Sequence, residues 1–126
     1  MSPGDRILVV DDDDDIREVM QELLAAEGFQ VDGAKDGIDA LGKLEAAAAP
    51  PLILLDMMMP RMDGEAFLNA LRARPALANA LVVVISGNTA ARETAGNFQA
   101  AGCLVKPFEL DELLGLVRRI SPGARR

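Results

Sequence analysis

The amino-acid sequence predicts an α/β fold in which a five-stranded parallel sheet is covered by helices on both faces. Three runs of consecutive apolar residues, at 7–10, 52–55 and 81–85, are typical of strands buried on both faces. Segments with apolar residues at helical spacing separate these runs. Strands that alternate with helices indicate right-handed crossovers, and therefore strands that run parallel to one another.

Two weaker strands complete the predicted sheet and stand at its edges. Residues 29–33 alternate between apolar and polar side chains, and the apolar run at 103–105 is very short, as edge strands tend to be. With these two strands at the edges, the predicted order is 2-1-3-4-5, that of a flavodoxin-like (βα)5 sheet. Ligands of such sheets lie beyond the carboxyl ends of the strands, near the switch point between strands 1 and 3. The residues that directly follow the strands are therefore the candidate functional residues.

Helical spacing predicts the helices between the strands. In the first helix, which ends before Gly28, the expected core face consists of Ile16, Val19, Met20, Leu23 and Leu24. The second, third and last helices are marked by Ile38, Leu41 and Leu44, by Phe67, Leu68 and Leu71, and by Leu110, Leu113, Leu114, Val117 and Ile120. The fourth, over residues 89–101, offers mainly alanines and Phe98 to the core and contains Gly96. We expect it to be the least firmly packed and most mobile helix.

The length and the net charge of the chain limit its domain count and its possible functions. A chain of 126 residues corresponds to a single domain, 1–126, with a core over about 6–120 and a frayed tail at 121–126. Thirteen basic against 20 acidic residues give a net charge of -7, and no basic stripe is present, which argues against direct binding of nucleic acid. No apolar run approaches the roughly 20 residues that span a bilayer, so we expect no membrane insertion.

Cysteine and histidine usage narrow the chemistry further. The single cysteine, Cys103, cannot form an internal disulfide, and the first residues lack the apolar stretch of a signal peptide. These features favour a cytoplasmic location. Histidine is absent, so the chain cannot carry a phosphohistidine or use imidazole as a base. Its chemistry must depend on carboxylates, hydroxyls and lysines.

Aspartates crowd the ends of strands 1 and 3. Residues 11–15 are all aspartates, and Asp56 ends strand 3. Aspartates at the start of a helix commonly cap it, and the last three of the run need no other role. Capping does not explain Asp11, Asp12 and Asp56 together, because like charges a few ångströms apart repel unless a proton or a cation intervenes. A few carboxylates suit Mg2+, so the three aspartates predict a Mg2+ site.

A hydroxyl and an ammonium group are predicted at the same edge. Strand 4 ends on Ser86, which could simply cap the next helix, and strand 5 ends on Lys106, which could simply form a salt bridge to the aspartates. Together with the carboxylates, these groups suit phosphoryl transfer to a carboxylate nucleophile. That reaction chiefly requires positioning and charge neutralisation.

Four segments, taken in order, resemble the receiver domain of bacterial two-component response regulators, and the resemblance covers residues 6–120. They are ILVVDDD from Ile7, LLDMMMPRMDG from Leu54, ISGN from Ile85 and LVKPF from Leu104. The resemblance implies that Asp56 is the phosphoacceptor, that Asp12 binds Mg2+ directly and that Asp11 holds it chiefly through water. Met58 would offer only its backbone carbonyl to the cation.

The resemblance also assigns the switch residues and shows two departures. Ser86 matches the switch hydroxyl, Lys106 the phosphate-contacting lysine, and the Lys106-Pro107 bond is expected to be cis. Cys103 stands where the family usually has an aromatic residue, so a different readout is expected. Met58 occupies a position that often influences dephosphorylation. A methionine there cannot orient the attacking water by strong hydrogen bonds, which predicts a longer-lived phosphoryl group.

The resemblance implies a signalling switch rather than an enzyme. A sensor histidine kinase or phosphotransfer protein would donate the phosphoryl group, and the phosphorylated protein would then contact a downstream protein through helix 4, strand 5 and helix 5. Leu110, Leu113 and the pair Arg118 and Arg119 are candidates for that surface, although most of the leucines suit the core. An aspartate-based phosphatase of the haloacid dehalogenase kind is the enzyme alternative, but its DxDx[TV] strand is missing. A degenerate receiver that binds partners without phosphorylation is the other alternative, and the intact set of site residues argues against it.

Overall fold

The computed structural model describes residues 6–47, 51–57, 63–87, 91–97 and 99–120. Within them the strands are β1 (Arg6–Val10), β2 (Gln30–Ala34), β3 (Leu52–Asp56), β4 (Val82–Ser86) and β5 (Gly102–Val105). The helices are α1 (Asp14–Ala26), α2 (Gly37–Ala46), α3 (Gly64–Ala73), α4 (Ala91–Asn97) and α5 (Leu110–Ile120). The predictions made for Met58, for Phe98 and for the tail at 121–126 lie outside the described residues.

All five strands form one parallel sheet in the order β2-β1-β3-β4-β5. The predicted α/β fold and strand order are therefore confirmed. Asp56 pairs with Ile85, and Ser86 with Val105. This register brings the carboxyl ends of neighbouring strands to the same edge of the sheet.

The sheet divides the apolar interior into two clusters, because successive side chains of a strand point to opposite faces. The first cluster, on the side of α2, α3 and α4, includes Leu8, Val10, Ile53, Leu55, Phe67, Leu68, Leu71, Val84 and Ala95. The second, on the side of α1 and α5, includes Ile7, Val9, Met20, Leu24, Leu54, Val83, Leu104, Leu113, Leu114 and Val117. Every residue of β3 and β4 is buried, as their continuous apolar runs predict.

The predicted core face of α1 was too wide. Met20 and Leu24 are buried, but Ile16, Val19 and Leu23 are 42%, 53% and 37% exposed. A helix on a sheet buries a stripe about as wide as its line of contact, and apolar residues beside that stripe remain accessible to solvent. Ile38 of α2 and Leu110 of α5, which mark the helical spacing of their helices, are likewise exposed. The exposed residues of α1 form a surface that we call the α1 apolar stripe (Ile16, Val19 and Leu23).

The ends of α1 follow local sequence rules. The Asp13 carboxylate accepts hydrogen bonds from the backbone N–H groups of Asp15 and Ile16, at 3.0 and 3.1 Å, and so caps the helix. At the other end Gly28 has a φ of 99°, a conformation that glycine adopts without steric cost. The sequence predictions for both ends are thus confirmed.

The fourth helix ends earlier than its predicted range, since α4 is described over Ala91–Asn97 and residues 99–101 are not helical. Ala95 is buried in the first cluster, whereas Gly96 is exposed. After the helix, Gln99 has a φ of 56° and Ala100 N–H donates to the Ala95 carbonyl at 2.8 Å. A backbone turn of this kind ends a helix by satisfying one of its last carbonyl groups. The predicted high mobility of α4 stays a prediction.

Candidate functional site

The chain leaves β1 through two aspartates in different environments. Asp11 N–H donates to the Ala34 carbonyl at 3.1 Å, so Asp11 continues the line of β1 beyond its last strand residue. Asp11 is 3% exposed, and its carboxylate accepts a hydrogen bond from Asp13 N–H at 2.9 Å. Asp12 is exposed. One buried and one accessible carboxylate therefore stand side by side at the end of the strand.

Asp56 brings a third carboxylate to the same place. It is the last residue of β3, is 6% exposed, and lies beside Asp11 and Asp12 with one carboxylate oxygen of each residue within 4.8 Å of the others. Three convergent carboxylate oxygens form a donor set that suits a hard divalent cation such as Mg2+. The three predicted cation ligands are thus brought together.

Burial and neighbouring charge act on the Asp11 carboxyl group. Burial is the largest influence and raises the pKa of Asp11 above its ordinary value, and the negative charges of Asp56 and Asp12 add to the rise. The Asp13 N–H and the Lys106 ammonium oppose it by favouring the charged form. A bound divalent cation would also favour the charged form, since its own charge is the largest that such a site can contain.

Lys106 extends from the end of β5 towards the carboxylates. Its Nζ atom lies 3.6 Å from the Oδ2 atom of Asp56, and its side chain is 36% exposed. The Lys106 N–H donates to the Ser86 carbonyl at 2.8 Å, which fixes the start of the side chain beside the end of β4. The Lys106-Pro107 peptide bond is cis, as the resemblance implied. Lys106 therefore approaches the cluster from the side opposite β1.

Ser86 and Cys103 occupy different levels of the sheet. Ser86 is the last residue of β4, is 5% exposed, and stands at the same edge as Asp56. Cys103 lies within β5 opposite Val84, and its partly buried side chain packs against the first core cluster. The structure thus places Ser86 with the site residues, but it places Cys103 one layer below them.

Met57 and Gly64 make a close backbone contact beside Asp56. Gly64 N–H donates to the Met57 carbonyl at 3.1 Å. A Cβ atom at position 64 would lie 2.7 Å from the Met57 Cα atom and 2.4 Å from its Sδ atom, distances that real Cβ atoms essentially never show. Glycine is therefore required at this position.

Sequence reasoning missed Arg17, which lies next to the site in the first turns of α1. Its Nη1 atom donates to the main-chain carbonyl of Asp11 at 2.8 Å, and its Nη2 atom pairs with the Asp14 carboxylate. Its side chain is only 16% exposed. The spacing of Asp14 and Arg17 predicts their ion pair on a helix. The contact with Asp11 could not be predicted, because it depends on how the chain turns between β1 and α1.

A family model places the chain among known proteins: residues 7–118 match the response regulator receiver domain. The response regulator MprA of Mycobacterium sp. strain KMS is 40% identical over 121 residues, which cover 93% of this chain and 52% of that protein. MprA of Mycobacterium tuberculosis strain H37Ra is 38% identical with the same coverage. The protein belongs to the response regulator receiver family. The chain spans about half the length of the curated relatives it matches.

Solved structures show the same fold. Chemotaxis protein CheY4 of Vibrio cholerae has a TM-score of 0.82 and 31% identity over 91% of this chain and 97% of its own. Response regulator TrrA of Thermotoga maritima, in complex with Mg2+ and BeF, has a TM-score of 0.79 and 32% identity with the same coverage. The fold is therefore CheY-like. Among the described residues, no helix is long and apolar enough to cross a membrane.

Proposed function

We propose that the protein is a phosphorylation switch that accepts a phosphoryl group on Asp56. The observation that carries this proposal is the convergence of the Asp11, Asp12 and Asp56 carboxylates, with Lys106 Nζ 3.6 Å from Asp56. Family membership and the similarity to a regulator solved with Mg2+ and BeF support it. The donor would be the phosphohistidine of a sensor kinase or of a phosphotransfer protein, since this chain has no histidine.

Each site residue has a proposed task in the transfer. An oxygen of Asp56 attacks the phosphorus atom, a phosphorus–oxygen bond forms, and the bond from phosphorus to the donor nitrogen breaks as the imidazole departs. Asp11, Asp12 and Asp56, with the Met58 carbonyl, would hold Mg2+, which neutralises phosphoryl charge when it is bound. Lys106 is close enough to Asp56 to exchange its carboxylate contact for a phosphoryl oxygen.

The response to phosphorylation is assigned to Ser86 and to α4, and the small side chain of Cys103 is the reason for the role of α4. Ser86, at the end of β4, would turn to meet a phosphoryl oxygen, and the loop after β4 would move with it. Cys103 is smaller than the aromatic residue usual at its position, so α4 would provide more of the response. The protein would turn over only its own aspartyl phosphate, slowly because of Met58, and the cytoplasm remains the predicted compartment.

Two surfaces are proposed for protein partners. The α1 apolar stripe begins directly after the aspartates of the site, so a donor seated on it would have its phosphohistidine close to Asp56. For the downstream protein we propose the face of α4, β5 and α5. Within that face Leu110 is exposed, whereas Leu113 is buried and belongs to the core.

The test is phosphorylation of the purified protein by acetyl phosphate with Mg2+, followed by intact mass. We expect a gain of one phosphoryl group that requires Mg2+ and is lost in Asp56→Asn. Asp32→Asn is the matched control, because it removes the same charge from an exposed position on β2 and should leave phosphorylation unchanged. The proposal would be contradicted if the wild type is not modified and its amide NMR spectrum does not change when beryllofluoride is added. That result would favour a phosphorylation-independent binding module.

A further inference from the structure

We infer that Arg17 is a positioning residue that holds Asp11 and Asp12, the two aspartates that follow β1, in the geometry required for a divalent cation. This inference rests on the proposed function and adds to it a residue that does not itself contact the cation or the phosphoryl group. Arg17 contacts two acceptors, fixes one peptide group of the site and occupies space that Gly33 leaves open.

The Arg17 guanidinium is engaged by two different acceptors. Nη1 donates to the main-chain carbonyl of Asp11 at 2.8 Å, and Nη2 pairs with the Asp14 carboxylate. A guanidinium group can donate to both at once because its N–H groups point in fixed directions, whereas a lysine ammonium lacks this planar fork. With 16% exposure the side chain is also well shielded from competing water.

The carbonyl that Arg17 binds belongs to the peptide group between Asp11 and Asp12. Asp11 is tied on its other side, since its N–H donates to Ala34 and its carboxylate accepts from Asp13 N–H. Fixing the carbonyl therefore sets the orientation of the peptide that carries Asp12, whose side chain is exposed and otherwise free to turn away. Arg17 thus controls the relative placement of the two carboxylates.

Gly33 of β2 provides the space through which Arg17 reaches this carbonyl. A Cβ atom at position 33 would lie 3.0 Å from Arg17 Cδ and 2.5 Å from Gln21 Oε1. The side chains of Arg17 and Gln21 both pass over β2 at Gly33, where there is no side chain to block them. A larger residue at 33 should displace Arg17 without changing any charge, which makes position 33 an independent test of the inference.

The sign of the effect separates positioning from simple electrostatics. Removing a positive charge near three carboxylates should strengthen cation binding if Arg17 acts only through its charge. Removing a residue that orients the carboxylates should weaken binding, and supporting partners of metal ligands typically contribute about 10- to 100-fold to affinity. The two roles therefore predict changes in opposite directions.

The experiment is a Mg2+ titration followed by amide shifts in two-dimensional NMR spectra, which suits a chain without tryptophan or tyrosine. For Arg17→Met we expect a Kd for Mg2+ about tenfold above that of the wild type. Gly33→Val should weaken binding in the same direction, and Arg17→Lys should restore only part of the affinity. In acetyl phosphate reactions Arg17→Met should raise the Mg2+ concentration needed for half-maximal rate, while the rate at saturating Mg2+ stays close to that of the wild type.

Arg74→Met is the matched control, because Arg74 also donates to a main-chain carbonyl, that of Ala70, and pairs with Glu45 away from the site. It should leave the Kd for Mg2+ within about twofold, since charges beyond a Debye length are screened. Unchanged or tighter Mg2+ binding in both Arg17→Met and Gly33→Val, with dispersed spectra that show folded protein, would overturn the inference. Failure of the wild type to bind Mg2+ would instead contradict the proposed function.

Discussion

Helices α1 and α4 pack on opposite faces of the sheet, α1 against β1 and β2 and α4 against β4 and β5, and they are held in very different ways. α1 has 13 residues, is capped by Asp13, buries Met20 and Leu24, and is tied to the site through Arg17. α4 has seven residues, and among its described side chains the buried one is that of Ala95. The side that contains the three carboxylates is thus firmly supported, and we predict that α4, on the side proposed to respond to phosphorylation, is held less firmly. A switch benefits from this asymmetry, because binding requires fixed ligands and a response requires a helix that moves at low free-energy cost.

The largest expected difference between the two helices lies in their buried side chains. Leu24→Ala should lower the free energy of unfolding by about 3 kcal/mol, since it removes a fully buried side chain and leaves a cavity. Ala95→Gly should lower it by only about 1 kcal/mol, through the poorer helix propensity of glycine. Urea unfolding at equilibrium measures both values. Equal losses would show that α4 is packed as firmly as α1.

A smaller effect is expected from Mg2+ on the cation-binding side. At a concentration tenfold above its Kd, Mg2+ should raise the free energy of unfolding of the wild type by about 1.4 kcal/mol. Asp11→Asn should lose most of this gain while keeping an acceptor for the Asp13 N–H. Urea unfolding with and without Mg2+ measures the difference, and Asp32→Asn serves as the control with the same charge change. If Mg2+ stabilises Asp11→Asn as much as the wild type, Asp11 is not a ligand of the cation.

The pH dependence without divalent cations follows from the raised pKa of Asp11. The folded protein binds a proton on Asp11 more tightly than the unfolded chain does, so stability from this group is fully present below the ordinary aspartate pKa. It is lost as the pH rises through the raised pKa of the folded state. Asp11→Asn should remove this part of the decline in the free energy of unfolding with rising pH. Urea unfolding curves at several pH values measure it. A decline of the same size in the variant would assign it to other groups.

The smallest expected effect concerns the attachment of the turn after α4. Arg72 donates to the carbonyls of Ala78 and Ala80 at 3.0 and 2.9 Å, and more weakly to that of Gln99 at 3.4 Å. In Arg72→Met, hydrogen exchange at the amides of Ala100 and Ala101 should become faster by a few-fold, since a long hydrogen bond contributes at most about 1 kcal/mol. Amide exchange followed by NMR measures this change. Slower or unchanged exchange would show that Arg72 does not restrain the end of α4.

Much of the fold could be predicted because its signals are local. Continuous apolar runs identified the buried strands, and the order of the sheet followed from the weaker runs at its edges. The exposed residues of α1 could not be predicted, because helical spacing shows which residues share a side of a helix but not how wide a stripe the sheet covers. The early end of α4 was also missed, since its alanines carry almost no periodic signal.

The candidate site divides along similar lines. Asp11, Asp12, Asp56 and Lys106 were predicted because each ends or closely follows a strand, and the parallel sheet brings strand ends together. Arg17 was missed because its contact with Asp11 depends on the conformation of a turn. Such a contact leaves no pattern in the residue types alone.

Gln99 offers a separate means of adjusting the responding side of the molecule. It holds a left-handed backbone conformation, with a φ of 56°, at the turn that ends α4, where a side chain costs roughly 1 kcal/mol relative to glycine. Gln99→Gly would relieve that cost and favour the helical turn without altering any residue proposed for the chemistry. The residue at this one position could therefore set how readily α4 moves. Related proteins with identical phosphorylation sites could then differ in the strength of their response.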